Sequence, residues 1–146
     1  MEERRRAATA TERKPFSMMA RQALEKFIAE SRTANAHWGS KPNLGWVRWQ
    51  LQDGRYVYMA VRRHLDWVTG EVGTSSDPKE LESLELKAVP DASPRAAYRV
   101  RLGHLLHDED KWWPAGKSEK ELTERIEWLV LQMRVKIERF FEGARR

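Results

Sequence analysis

The chain contains no cysteine. That absence excludes disulfides, thiolate zinc sites, iron–sulfur clusters and thiol catalysis together, and it fits a reducing compartment. Long apolar runs are missing as well. No stretch approaches the ~20 consecutive apolar residues of a membrane-spanning helix. The charged start Glu2-Glu3-Arg4-Arg5-Arg6 is not followed by the apolar segment of a secretory signal. A soluble, cytoplasmic protein is the expectation. Catalytic fingerprints are equally scarce: the sequence holds no G-x-S-x-G, no P-loop, no H-E-x-x-H and no dinucleotide-binding glycine pattern. No cofactor is implied, and the balance leans away from an enzyme.

The 146 residues are enough for one domain with its own core. Lys and Arg number 27 against 22 Asp and Glu, a net charge of +5. Much of that excess sits at the ends, in residues 1–14 and in Arg145-Arg146. Residues 1–14 lack large apolar groups and read as a disordered basic tail, 15–142 as a single α+β domain, and 143–146 as a second short tail. Basic ends weaken the usual link between a high isoelectric point and nucleic acid.

The spacing predicts a first helix from Ser17, its N-cap, with Ala20, Ala23, Leu24, Phe27 and Ile28 as the buried stripe. Residues 37–43 read as a loop. Trp46–Gln52 and Tyr56–Arg62 alternate around Asp53-Gly54, which predicts a hairpin. A two-residue turn would leave neither face apolar. A three-residue loop, Asp53-Gly54-Arg55, gathers Val47, Trp49, Leu51, Val57, Met59 and Val61 on one side, and the buried face decides register. Asp66–Thr74 reads as a third strand weakened by Gly70 and Gly73, and Asp77-Pro78-Lys79-Glu80 as the start of a short helix. Ala97–Leu105 alternates as a fourth strand. Residues 107–117 form a polar loop in which Trp112 or Trp113 plugs the core edge. Ser118-Glu119-Lys120-Glu121 is a capping box opening a long final helix. The fold expected is α+β: an antiparallel sheet of about four strands with the N- and C-terminal helices packed on one face.

This order of elements resembles small bacterial families described as domains of unknown function. The features that carry the resemblance are Phe27, Trp46-Val47-Arg48-Trp49-Gln50, Tyr56-Val57-Tyr58, Asp66-Trp67-Val68-Thr69-Gly70-Glu71 and Trp113 ahead of the last helix. Some families of this kind resemble immunity proteins, which bind and silence a toxin. The resemblance therefore implies a protein partner and carries no site residue with it.

Two surfaces stand out. The final helix has a main stripe of Leu122, Ile126, Leu129, Val130, Met133, Ile137, Phe140 and Phe141, which suits a core. Opposite it lie Trp128, Leu131 and Val135, and something must cover them: this chain, a second copy in a homodimer, or another protein. The second surface is the outward sheet face, with Arg48, Tyr56, Tyr58, Arg62, Arg99 and Arg101. Aromatics interleaved with arginine serve protein hot spots, and they also serve nucleic acid, where rings stack on bases and guanidinium groups hold phosphates. An ordinary cross-strand ladder has the same composition. The expectation is a non-catalytic bacterial protein-interaction module, an immunity-type inhibitor or a homodimer, with a nucleic-acid-binding face as the alternative.

Metal and catalytic readings are weaker. His104, His107 and Asp108-Glu109-Asp110 offer ligand atoms, yet on a strand His104 and His107 would face opposite ways, so no metal site is assigned. His37 and His64 are general-base candidates by residue type but lack a local nucleophile or an orienting acid.

Overall fold

Apolar residues three and four apart build the first helix, α1 (Phe16–Arg32). It begins two residues earlier than an N-cap at Ser17 would place it, because the Pro15 carbonyl accepts the amides of Met18 and Met19. Ser17 thus lies in the first turn. The computed structural model describes residues 15–32, 36–51, 54–77, 79, 86–87 and 98–137, with backbone alone for 27–32, 86–87 and 98. The expectations for Phe27, Ile28, Phe140, Phe141, the two tails and most of the helix after Asp77 lie outside this description. Of that helix start, Asp77 Oδ1 accepts the Lys79 amide at 2.9 Å.

After α1 come β1 (His37–Lys41), β2 (Leu44–Gln50), β3 (Tyr56–His64), β4 (Trp67–Ser75), β5 (Leu86–Lys87) and β6 (Tyr98–Arg101). Then follow α2 (Leu102–His107), β7 (Trp113–Pro114) and α3 (Glu119–Ile137). The sheet order is β1-β2-β3-β4-β6-β5, with β7 pairing separately to β4. Neighbours are antiparallel except β5 and β6, which run parallel at one edge. The α+β class and the two helices on one face are as expected, and the sheet is wider than four strands.

Two added strands and one added helix have clear causes. Residues 37–41 pair with β2 instead of looping, because Gly39 leaves room for the Trp46 indole opposite it. A Cβ at Gly39 would collide with that ring. Trp113-Pro114 adds a short rung beside Trp67-Val68, and Trp113 is the buried plug. The alternation through Ala97–Leu105 stops at Arg101, where the chain turns into α2 with Leu102 buried. Leu102, Leu105 and Leu106 sit at helical spacing, so the leucines that resembled a strand end belong to a helix.

The β2–β3 hairpin keeps the expected face but shifts its register by two residues. Trp49 opposes Val57 and Val47 opposes Met59. Leu51 closes the pair with Arg55, and its carbonyl accepts the Gly54 amide at 3.0 Å. Gly54 carries φ +92°, a conformation that costs a glycine little. A shift of two leaves side-chain parity intact, so the same six residues line the core.

That core lies between the sheet and the two long helices. Met19, Ala20 and Leu24 of α1 meet Val47, Trp49, Val57, Met59 and Val61, and Ile126, Leu129, Val130 and Met133 of α3 complete it. Gly70 faces α3, and a Cβ there would come within 2.5 Å of the Met133 sulfur. The glycine that looked like a weak point makes room for a methionine of the helix. At the start of α3, the Ser118 hydroxyl accepts the Glu121 amide at 3.1 Å, while Glu121 Oε2 accepts the Lys117 amide at 2.6 Å. The box is closed one residue further out than the usual reciprocal pattern.

Candidate ligand face of the sheet

With the helices on one side, the cross-strand register sorts the other side into rows. One row runs His37, Arg48, Tyr58, Gly73, Arg99. The next runs Gly39, Trp46, Ala60, Glu71, Arg101. A third holds Lys41, Leu44, Arg62, Thr69, and a fourth Gln50, Tyr56, Ser75. Arg48, Tyr56, Tyr58, Arg62, Arg99 and Arg101 therefore share one face.

The centre of that face is a residue the sequence reading passed over. Glu71 is completely buried, and three arginines converge on its carboxylate. Arg62 Nε lies 2.8 Å from Oε2, Arg101 Nε 3.4 Å from Oε2, and Arg99 Nη1 3.7 Å from Oε1. Arg101 also reaches Asp110 at 2.7 Å. A buried carboxylate is costly to desolvate, and close guanidinium partners offset that cost. Burial works to lower the pKa of Arg62. The hydrogen bond and charge of Glu71, with that of Tyr58, outweigh it, and the group ends above its ordinary value. Arg62 is thus a permanent cation at every ordinary pH.

Around this centre the aromatics are partly spent on packing. Tyr58 is only 1% exposed and forms a small cluster with Leu44 and Ala60, against which Trp46 and Tyr56 pack. Its ring has no open face on which a base could stack. The Trp46 and Tyr58 centroids are 6.2 Å apart, Arg48 lies over Trp46 at 5.7 Å, and Arg101 lies over Trp112 at 4.9 Å. Guanidinium groups stacked on indoles are held in place, which lowers the entropy lost when they bind.

A cavity of about 310 Å³ opens beside the cluster. Lys41, Asn43, Tyr58, Arg62 and Arg99 line it. Its size is at the lower end of small-ligand sites. Pro42 and Leu44 make part of its wall apolar, while Lys41, Asn43, Arg62 and Arg99 offer positive charge and hydrogen-bond donors.

The second stripe of α3 divides. Trp128 packs edge-on against Trp113 with centroids 5.3 Å apart, under the Arg125 guanidinium at 5.4 Å. Leu131 and Val135 remain 38% and 56% exposed. The chain itself occupies the tryptophan, and two aliphatic side chains are left facing outward.

The histidines fall into no such arrangement. The i, i+3 pair His104 and His107 sits on α2, so the strand geometry used to separate them does not apply. Among the described residues no three His, Cys, Asp or Glu side chains converge as metal ligands. His37 and His64 are exposed and line neither the cavity above nor a second one at the start of α3. Among the described residues no helix is long and apolar enough to cross a membrane.

Comparison of the chain with protein-family models, curated proteins and solved structures finds no match. The functional reading therefore rests on the geometry of this face.

Proposed function

We propose that this chain is a non-catalytic protein-interaction domain that binds an acidic surface of a protein partner on the basic face of its sheet. The observation that carries the reading is the convergence of Arg62, Arg99 and Arg101 on buried Glu71. With Lys41 and Arg48 the described part of the face holds five cations beside Glu71 and Asp110. Fixed arginines beside half-exposed Trp46 and Tyr56 have the composition of an interface hot spot. The bacterial immunity-type resemblance agrees with a partner of this kind. The homodimer is a weaker version. Leu131 and Val135 alone make a patch far below the ~1,000 Å² that a stable interface needs.

Nucleic acid is the competing occupant. Burial of Tyr58 removes one of the two tyrosines on which bases were expected to stack. The test compares polyglutamate with a single-stranded oligonucleotide of equal charge, each at 50 and 200 mM salt. Polyglutamate should bind at least tenfold more tightly, weaken with salt, and weaken again in Arg48→Glu. Tighter binding of the oligonucleotide, or no binding of polyglutamate, would overturn the reading.

A further inference from the structure

The most exposed large apolar residue among those described sits in the β3–β4 turn. Leu65 is 74% exposed, and Trp67 beside it 48%. His64 pairs with Trp67, so Leu65 and Asp66 alone make the turn. Leu65 has φ +54°. A positive φ at the first of two turn residues usually belongs to glycine, and asparagine also takes it readily, whereas leucine rarely does. The backbone gains nothing from a leucine here. The core gains nothing either, since the side chain stands mostly in solvent.

The turn is tied down on both sides. Arg63 Nε donates to the Leu65 carbonyl at 2.9 Å, and the Asp66 carbonyl accepts the Ala115 amide at 2.8 Å. Trp67 is paired with His64 on one strand and Pro114 on the other. Side chains displayed from a fixed backbone lose less freedom on binding.

Trp67 also belongs to the ligand face. Val68 and Val72 join the core, so Trp67, Thr69 and Glu71 project from the opposite side of β4. Arg62 and Thr69 form the row next to His64 and Trp67. Four residues separate Trp67 from Glu71, about 13 Å along the strand. A short extended segment lying across the arginine cluster would therefore reach the indole. Arginine beside an exposed aromatic has the composition of a protein hot spot, where one or two anchors dominate. Binding to a bilayer grows instead with buried apolar area, and two side chains supply little of it.

We propose that Leu65 and Trp67 receive a large apolar side chain that the protein partner carries beside its acidic groups. This rests on the sheet-face reading above and adds an apolar anchor to the acidic surface it calls for.

The experiment uses the full chain and two peptides of equal charge. Each has three glutamates, a Gly-Ser-Gly spacer and then either leucine or serine. Binding is followed by backbone amide NMR shifts. The leucine peptide should bind at least fivefold more tightly than the serine peptide and shift amides at 64–68. Leu65→Asn keeps a residue suited to positive φ, so its melting temperature should not fall, yet the preference for leucine should shrink to less than twofold. Trp67→Thr should do the same to the preference, and if that variant fails to fold, Leu65→Asn decides. Equal binding of the two peptides would overturn the proposal. So would a preference unchanged in Leu65→Asn, or a clear loss of stability there, which would make Leu65 a structural residue of the turn. Equimolar phosphatidylserine–phosphatidylcholine vesicles provide the other arm: vesicle binding that Leu65→Asn abolishes, with no preference between the peptides, would assign the turn to a lipid surface and overturn the protein partner. Polyglutamate binding without a leucine preference would sink the anchor and leave the sheet-face reading standing. A leucine preference without polyglutamate binding would support the anchor and sink the sheet-face reading.

Discussion

Arg62 donates from Nε to a Glu71 carboxylate that has no exposed surface, 2.8 Å away on the neighbouring strand. The pair is the base on which the other arginines rest. Removing the carboxylate leaves three guanidinium groups facing one another at the sheet surface. Loss of one partner from a buried charge cluster typically costs about 3–5 kcal/mol. Glu71→Ala should therefore lower the urea midpoint strongly. Asp110→Ala, which breaks a pair that is largely solvent-screened, should cost under about 1 kcal/mol. Equal losses in the two variants would show that the carboxylate is not the centre.

Alkaline titration separates the charge of Arg62 from its packing. Its pKa stands above the ordinary arginine value, so its stabilising charge is present throughout the working range and fades only at pH beyond it. A lysine there has an unfolded pKa of about 10.4, raised in the folded state by the same carboxylate. Its contribution is complete below that value and disappears as pH climbs through the raised one. The stability gap between Arg62→Lys and the parent protein should widen between about pH 10 and 11.5. A constant gap would mean that packing, not charge, sets the role of this residue.

Two glycines should respond differently to one added methyl group. At Gly70 the new Cβ meets the Met133 sulfur at 2.5 Å, the end of a side chain that can turn aside. At Gly103 it meets backbone atoms of Lys111 and Glu109, which cannot. Gly70→Ala should cost about 1–3 kcal/mol, a usual cost of overpacking, and Gly103→Ala more. Thermal denaturation of both variants checks the order, and a milder Gly103→Ala would contradict it.

The outer side of α3 gives a similar contrast. Trp128→Asp strips an aromatic contact with buried Trp113 and should lower the melting temperature clearly. Leu131→Asp and Val135→Asp replace exposed side chains and should change stability by no more than about 0.5 kcal/mol. Light scattering should give 17.2 kDa for the parent protein and the same mass for both aspartate variants. A parent mass of twice that value, lost in Leu131→Asp, would restore the homodimer.

What the sequence made legible was local or set by burial. The α3 cap was readable because Ser118 and Glu121 lie three residues apart on the chain. The apolar hairpin face was readable because side-chain direction has a period of two, which also hid the register shift. β1 gave no signal: His37-Trp38-Gly39-Ser40-Lys41 has no apolar alternation, and its place depends on an indole packing over a glycine. The leucines of α2 follow directly on a strand, and a run this short fits either period. The arginines and tyrosines of the sheet face were found by alternation within each strand. Glu71 was missed because its meaning depends on Arg62 and Arg101, which flank it across two neighbouring strands. Its one visible trace was a carboxylate in a strand with no other charged residue.

Strands β1 to β4 follow one another as a meander, each beside its predecessor, whereas residues 76–97 intervene before β6 takes its place next to β4. Short closures are entropically cheaper than long ones and tend to form sooner. A nascent chain would thus have Arg62 beside Glu71 while Arg99 and Arg101 were still at large. The three-arginine cluster around Glu71 is therefore complete only once β6 has docked beside β4, so its assembly waits on the longer closure.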